Sequence, residues 1–480
     1  MHFMEYKRQP WGHQLEAINI AKDLPEYGLF FEIGAGKSLT AVCIARHKYE
    51  EHGRVLKTLI FGPPIVLENW KREWAINSDI PKKQIHVLSG HNKDRIALFN
   101  KEKDAPSGAI FITNYEALLM KDLYALFLAW QPEVLIWDEL HKLKDPTSKR
   151  TKLAIPLADV SKYRLGLTGT PILNSLMDIF SQFRVLDRGR TFGKNFFSFR
   201  SRFFYDKNAG APANKYFPDW RPRPKIETEF HNMIASISKT VKKEDCMTLP
   251  PLVKQRLYSP MGKEQTRMYA EMKKQLVSYI GESAAVANLA ITKALRLQQI
   301  VSGFVKLDDG TIHRFKENPR ADQLHDLLED LAGQHKIIIW AVFHENYATI
   351  REICDKLKIK YVEVTGEVSA KSKQESVDAF CTDPSVRVFI GHPLSSGIGI
   401  NLVVSDISIF YSRNFSLEQD LQAEGRNFRG GSERHKSVLR YDLVTENTID
   451  ENVIESLYNK QALSDSVLLN MIKETTDGRI

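Results

Sequence analysis

A rhythm constrains this chain more than any single residue does. Short apolar, β-rich runs, TLIFG (58–62), AIFIT (109–113), VLIWD (134–138) and RLGLT (164–168), alternate with amphipathic stretches such as 66–77, 116–129 and 150–160. Alternation of this kind predicts βαβ units on a parallel sheet. The rhythm returns in KIIIWAVF (336–343), KYVEV (360–364), VRVFIG (386–391), ISIFY (407–411) and VLRYDLV (438–444). The expected fold class is therefore α/β, with two parallel-sheet lobes of similar build and no sequence repeat between them.

Between the lobes the rhythm breaks. Residues 187–235 are rich in aromatic and basic side chains, FGKNFFSFRSRFFY (192–205) above all, and four prolines follow at Pro212, Pro218, Pro222 and Pro224. Residues 263–302 read as long helices. Both segments are expected to be helical insertions. Consecutive prolines interrupt helix and strand alike, so Leu249-Pro250-Pro251 marks the link. This gives an N-terminal lobe over 1–250 with an insertion near 187–240. A C-terminal lobe over 251–480 carries an insertion near 263–320 and a helical segment at 451–472.

Composition excludes several classes. With 43% hydrophobic and 26% charged residues, the chain is not a mostly disordered one. No run reaches about 18 apolar residues, so no membrane span is expected, and the N-terminus has no secretory signal pattern. Cys43, Cys246, Cys354 and Cys381 form no C-x-x-C pair, and the 14 histidines show no H-E-x-x-H. Neither a disulfide scaffold nor a structural metal is expected. Lys+Arg 67 against Asp+Glu 59 leaves a net charge of +8, which permits a polyanionic partner.

The strongest local signal is Glu32-Ile33-Gly34-Ala35-Gly36-Lys37-Ser38, followed by a helical pattern. Gly34 and Gly36 let backbone N–H groups turn onto phosphate oxygens, with Ala35 between them. Lys37 brings a charge to the β/γ-phosphates, and Ser38 offers a hydroxyl to Mg²⁺ at a helix N-terminus. Phe31 stands where the general pattern has Gly. Downstream, Val134 to His141 places two carboxylates at the end of a buried strand, where ligands sit in open α/β sheets. Asp138 is expected to hold Mg²⁺, Glu139 to take a proton from the attacking water, and His141 to bridge to the neighbouring strand's turn. In the second lobe, Gln422 to Arg429 reads as a helix with Arg426 and Arg429 on one face. Planar guanidinium groups suit the charge of a transferring phosphoryl group, and Gln422 one turn earlier can position water.

In order along nearly the whole chain, these motifs resemble the helicase superfamily two ATPases, and within them the switch/sucrose-non-fermenting (SNF-type) DNA translocases. Trp11-Gly12-His13-Gln14 looks like the adenine-reading Gln motif, with Gln14 as reader. Glu32 to Ser38 looks like motif I. Phe61 to Trp74 is similar to motif Ia, Ile112 to Glu116 to motif Ib, and Asp138 to Asp145 to motif II. Leu167 to Asn174 looks like motif III, Gly397 to Leu402 like motif V, and Gln422 to Arg429 like motif VI. Phe428 and Ser432 depart from the family's usual His and Gln, and motif I is altered.

The resemblance implies two RecA-like lobes, ATP with Mg²⁺ as cofactors, and Gly397 in the ATP site. It implies DNA contacts at Lys71, Thr113, Thr168 and Gly399 by motif position alone. It further implies a monomeric, DNA-dependent ATP hydrolase that translocates on double-stranded DNA and remodels DNA or protein–DNA complexes. Alternatives are a strand-separating or fork-remodelling helicase, an RNA-dependent relative, and a slow nucleotide-gated adaptor. Intact Lys37, Glu139 and both arginines argue against the adaptor. A compact, domain-poor member points to the cytoplasm of a bacterial or phage-infected cell, with the nucleus as the alternative. For residues 192–205, a self-contained Phe core is the favoured reading, with base stacking as the other.

Overall fold

The computed structural model describes residues 6–460, apart from 107, 173–174, 211–217, 225, 247, 280–286, 308, 367–369 and 394–399. Gly397, Gly399, the Leu173-Asn174 end of motif III and the segment beyond 460 lie outside the described residues. The chain forms two compact units that part between Met247 and Thr248.

The first unit is built on β1 (Glu26–Phe31), β2 (Thr58–Gly62), β3 (Ile85–Leu88), β4 (Ile110–Asn114), β5 (Val134–Asp138), β6 (Tyr163–Leu167) and, after a hairpin of β7 (Phe204–Asp206) and β8 (Trp220–Pro222), β9 (Ser238–Val241). The sheet order is β3-β4-β2-β5-β6-β1-β9 and every pairing is parallel. Successive side chains on a strand face opposite ways. Leu59, Phe61, Leu135 and Trp137 accordingly enter one apolar layer, while Ile60, Val134 and Ile136 enter the other. Strands buried on both faces read as continuous apolar runs, which is why the sequence declares them. The first layer runs on into the insertion, where Phe192, Phe199, Phe203, Phe204 and Phe230 join it.

In the second unit, β10 (Leu252–Ser259), β11 (Phe304–Lys306), β12 (Ile312–Arg314), β13 (Ile337–Trp340), β14 (Lys360–Val364), β15 (Val386–Gly391), β16 (Ile407–Phe410) and β17 (Val438–Thr445) follow in chain order. Six of them form a parallel sheet in the order β10-β17-β16-β13-β15-β14. Ile337 and Ile339 face one apolar layer, Ile338 and Trp340 the other. Helices Lys263–Tyr279 and Ala287–Val301 and the β11–β12 hairpin form the second insertion. Among the described residues no helix is long and apolar enough to cross a membrane.

Candidate active site

Register brings three strand ends of the first unit to one level. Leu29 on β1 pairs with Leu167 on β6, and Leu167 pairs with Asp138 on β5. The loop after β1 therefore lies beside the acidic end of β5, with β6 between them. Gly34 and Gly36 take left-handed backbone, φ 95° and 82°, which side chains disfavour. Gly36 leads into helix Lys37–Glu51. Lys37 Nζ folds over the loop and donates to the carbonyls of Phe31 (2.8 Å) and Glu32 (3.4 Å). Ser38 is half-buried in the first helical turn.

Gln14 braces this loop. Its Nε2 donates to the Gly36 carbonyl at 3.0 Å and its Oε1 accepts from the Trp11 N–H at 2.7 Å. Only 2% of Gln14 is exposed, and a Cβ on Gly36 would collide with its carboxamide. Next to it, His13 Nε2 donates to the Ala35 carbonyl at 2.9 Å.

Asp138 is 7% exposed. Its Oδ2 accepts from the Trp70 indole at 2.8 Å and its Oδ1 from the Glu139 N–H at 3.1 Å. Burial first, and the Glu139 charge second, push its pKa up to about 6 against the pull of Trp70 and Lys37. The Asp138 carboxylate and the Ser38 hydroxyl are both oxygen donors, the kind that suits a hard cation such as Mg²⁺.

Glu139 has φ 56°, uncommon for a residue with a side chain. Its Oε2 lies 3.3 Å from His141 Nδ1, which also lies 3.0 Å from Thr168 Oγ1. Thr168 Oγ1 in turn accepts from the Thr170 N–H at 3.1 Å. A Cβ on Gly169 would come 3.3 Å from the Phe31 carbonyl. Phosphate loop, acidic strand end and the turn after β6 thus interlock, and His141 does bridge the last two.

The second-unit residues differ from expectation. Helix Leu417–Glu424 ends before either arginine, and residues 425–430 are turns. Arg426 and Arg429 therefore do not share a helical face. The physical reason is a competing hydrogen bond: the Arg426 carbonyl accepts from the Leu402 N–H at 3.0 Å, while Gly425 closes the helix. Arg426 is 6% exposed. Arg429 is half-buried, and burial lowers its pKa. Gln422 is half-buried, with Nε2 donating to Glu418 at 3.2 Å.

Beneath this segment lies an ion network that sequence reasoning missed. Arg440 on β17 pairs with Asp420 (2.9 Å), Glu424 (2.6 Å) and Asp442 (2.9 Å). Arg413 binds Asp442, and Lys254 on β10 binds Glu424 at 2.6 Å. The available signal was two opposite charges, Arg440 and Asp442, inside an otherwise apolar strand. The indole of Trp70 was likewise missed as a partner of Asp138.

Among the expected nucleic-acid contacts, Lys71 is half-buried on helix Leu67–Asn77. Thr113 and Thr168 are wholly buried. Thr113 Oγ1 donates to the Leu88 carbonyl at 3.1 Å, and Thr168 holds His141. Both side chains are therefore turned inward, so a contact with nucleic acid at these two positions would fall to the backbone. Motif position fixes place along the chain but not which way a side chain points.

Residues 13–307 match the SNF2-related domain, and residues 319–431 match the helicase conserved C-terminal domain. Protein CHROMATIN REMODELING 4 of Arabidopsis thaliana is 24% identical over 96% of this chain and 21% of its own length. Putative protein p41 of Acyrthosiphon pisum secondary endosymbiont phage 1 is 23% identical over 96% of this chain and 97% of its own. The solved SWI2/SNF2 ATPase core of Sulfolobus solfataricus in complex with dsDNA is 23% identical, with a TM-score of 0.45 over 100% of this chain and 98% of that one. The chain spans 21% to 26% of the length of the first curated relatives it matches. With the SNF2-related match alone covering well over half of it, the chain belongs to the SNF2-related family.

Proposed function

We propose that this chain is an ATP-hydrolysing, DNA-dependent motor that moves along double-stranded DNA and remodels DNA or protein–DNA complexes. The observation that carries the reading is that Lys37, after β1, and the Asp138-Glu139 pair, at the end of β5, stand at one level on either side of β6, with His141 holding the acid to the turn after β6. Lys37 and the N–H groups of the Gly34–Ser38 loop bind the phosphates of ATP. Ser38 and Asp138 hold Mg²⁺, which neutralises charge on the phosphate oxygens when bound. Glu139 accepts the proton of the attacking water, oriented through His141. From the second unit, Arg426 and Arg429 supply guanidinium charge in the transition state.

Family membership and the chromatin-remodelling names among the relatives support DNA as the track. The cytoplasm of a bacterial or phage-infected cell is the location proposed with it. The test compares ATP turnover on duplex, single-stranded and forked DNA and on RNA, alongside triplex displacement and duplex unwinding. Duplex DNA is expected to stimulate most, and a third strand should leave a triplex in an ATP-dependent way while a tailed duplex stays paired. Unwinding without triplex displacement would replace the reading with a strand-separating helicase. Stimulation by RNA alone would move the track to RNA.

A further inference from the structure

The first insertion holds most of the chain's surplus charge. Between residues 188 and 224 there are nine Lys and Arg against two Asp, an excess of seven out of the whole chain's eight. The other 443 residues are balanced to within one charge. On helix Phe196–Phe203, Phe199 and Phe203 turn inward to the aromatic core. Phe197 does not: it is 66% exposed.

A lone exposed Phe is ordinary on a protein surface. This one has company. The Arg200 guanidinium lies 5.3 Å from the Phe197 ring centre, 5.7 Å from Phe196 and 4.0 Å from the half-buried Trp220 of β8. Among the described residues no carboxylate pairs with Arg200, and its Nε is buried without a hydrogen-bond partner. In the same insertion, Arg202 pairs with the exposed Glu229 and Arg221 with the half-buried Asp219, at 2.8 Å each, and both arginines are themselves exposed. Such pairs are worth about 0–1 kcal/mol, so both cations can be drawn to phosphates.

We propose that this outer face, centred on Phe197 and Arg200, is a second nucleic-acid surface that takes unpaired nucleotides of a single strand. The argument is chemical. Flat aromatic and guanidinium groups stack on bases whatever their sequence, and only unpaired bases offer their faces. The surrounding cations meet the backbone. A duplex keeps its bases stacked on one another and would engage the cations alone. The surface goes beyond the motor reading, since none of its residues belongs to the phosphate loop, the acidic strand end or the arginine turn.

The test uses the full chain and fluorescein-labelled oligo-dT, read by anisotropy in the presence of excess unlabelled blunt duplex. Oligo-dT is expected to remain bound beside the duplex. Phe197→Ala should weaken it on the order of tenfold. Arg200→Lys, which keeps the charge and loses the planar stack, should weaken it too. Duplex-stimulated ATP hydrolysis should stay as in the unaltered chain for both variants. Complete displacement of oligo-dT by duplex would overturn the proposal. So would unchanged affinity in Phe197→Ala, or an abasic strand of equal length binding as tightly as oligo-dT.

Discussion

At Lys37 the ammonium already lies over two loop carbonyls, so its reach toward a phosphate is set by the loop rather than by a salt bridge. Lys37→Ala should abolish ATP hydrolysis, because the loop then has no mobile cation over the β/γ-phosphates. Glu139→Gln should fail differently, retaining nucleotide binding but losing turnover, since an amide cannot take the proton of water. A fluorescent ATP analogue measures the first property and phosphate release the second. Near-normal turnover in either variant would contradict the assignment. For Arg426→Ala and Arg429→Ala, nucleotide affinity should hold while turnover falls by about 10³–10⁵, the range arginine fingers supply elsewhere. Loss of nucleotide binding in a folded variant would instead make them ground-state ligands.

The phosphate loop and strand β17 make separate demands as elements. Gly36 combines a left-handed backbone with the Gln14 carboxamide at its Cα, so Gly36→Ala meets both strain and a collision. The backbone term alone is about 1–2 kcal/mol. Nucleotide binding should be lost, with a thermal midpoint lowered by a few degrees; an unchanged Kd for ATP would show that the loop tolerates the change. In β17, burial pushes the Asp442 carboxyl up, but Arg413 and Arg440 outweigh it and hold its pKa at about 2. A depressed pKa stabilises the fold above the unfolded value near 4, and that stability is lost as pH falls toward 2. Asp442→Asn should therefore destabilise at pH 7, by roughly 3 kcal/mol because it leaves buried guanidinium charge uncompensated. The difference should shrink in urea titrations run below about pH 4, and a pH-independent difference would point to packing instead.

The strands most legible in the sequence were those walled by apolar layers on both sides, such as VLIWD and the IIIW core of KIIIWAVF. β10 escaped notice because it is a sheet edge whose Lys254, Gln255 and Arg256 are polar and exposed. β3 and β9 are four residues long, and β1 runs straight into the phosphate motif. The loop and the paired acids were legible because their chemistry is local. The arginine turn was not, since a carbonyl 24 positions from its partner decides where that helix stops.

For the molecule as a whole, the +8 charge is a property of place rather than of average composition. If the motor grips mainly phosphates, stimulation by duplex DNA should fall steadily as salt rises. A rate that ignores salt would argue for contacts with bases instead. Arg-to-Gln changes at Arg200, Arg202, Arg221 and Arg223 should flatten the salt dependence of total DNA binding more than that of duplex-stimulated turnover. An unaltered slope would mean the insertion takes no part. The same four changes would remove half the net charge of 480 residues and lower the isoelectric point from about 9.0 while leaving the chain basic. On a cation-exchange column the chain would then elute earlier than the unaltered one, with its phosphate loop untouched. Its retention there measures one insertion, so a shifted elution profile in a homologue or a proteolysed sample can report the state of that appendage before any assay is run.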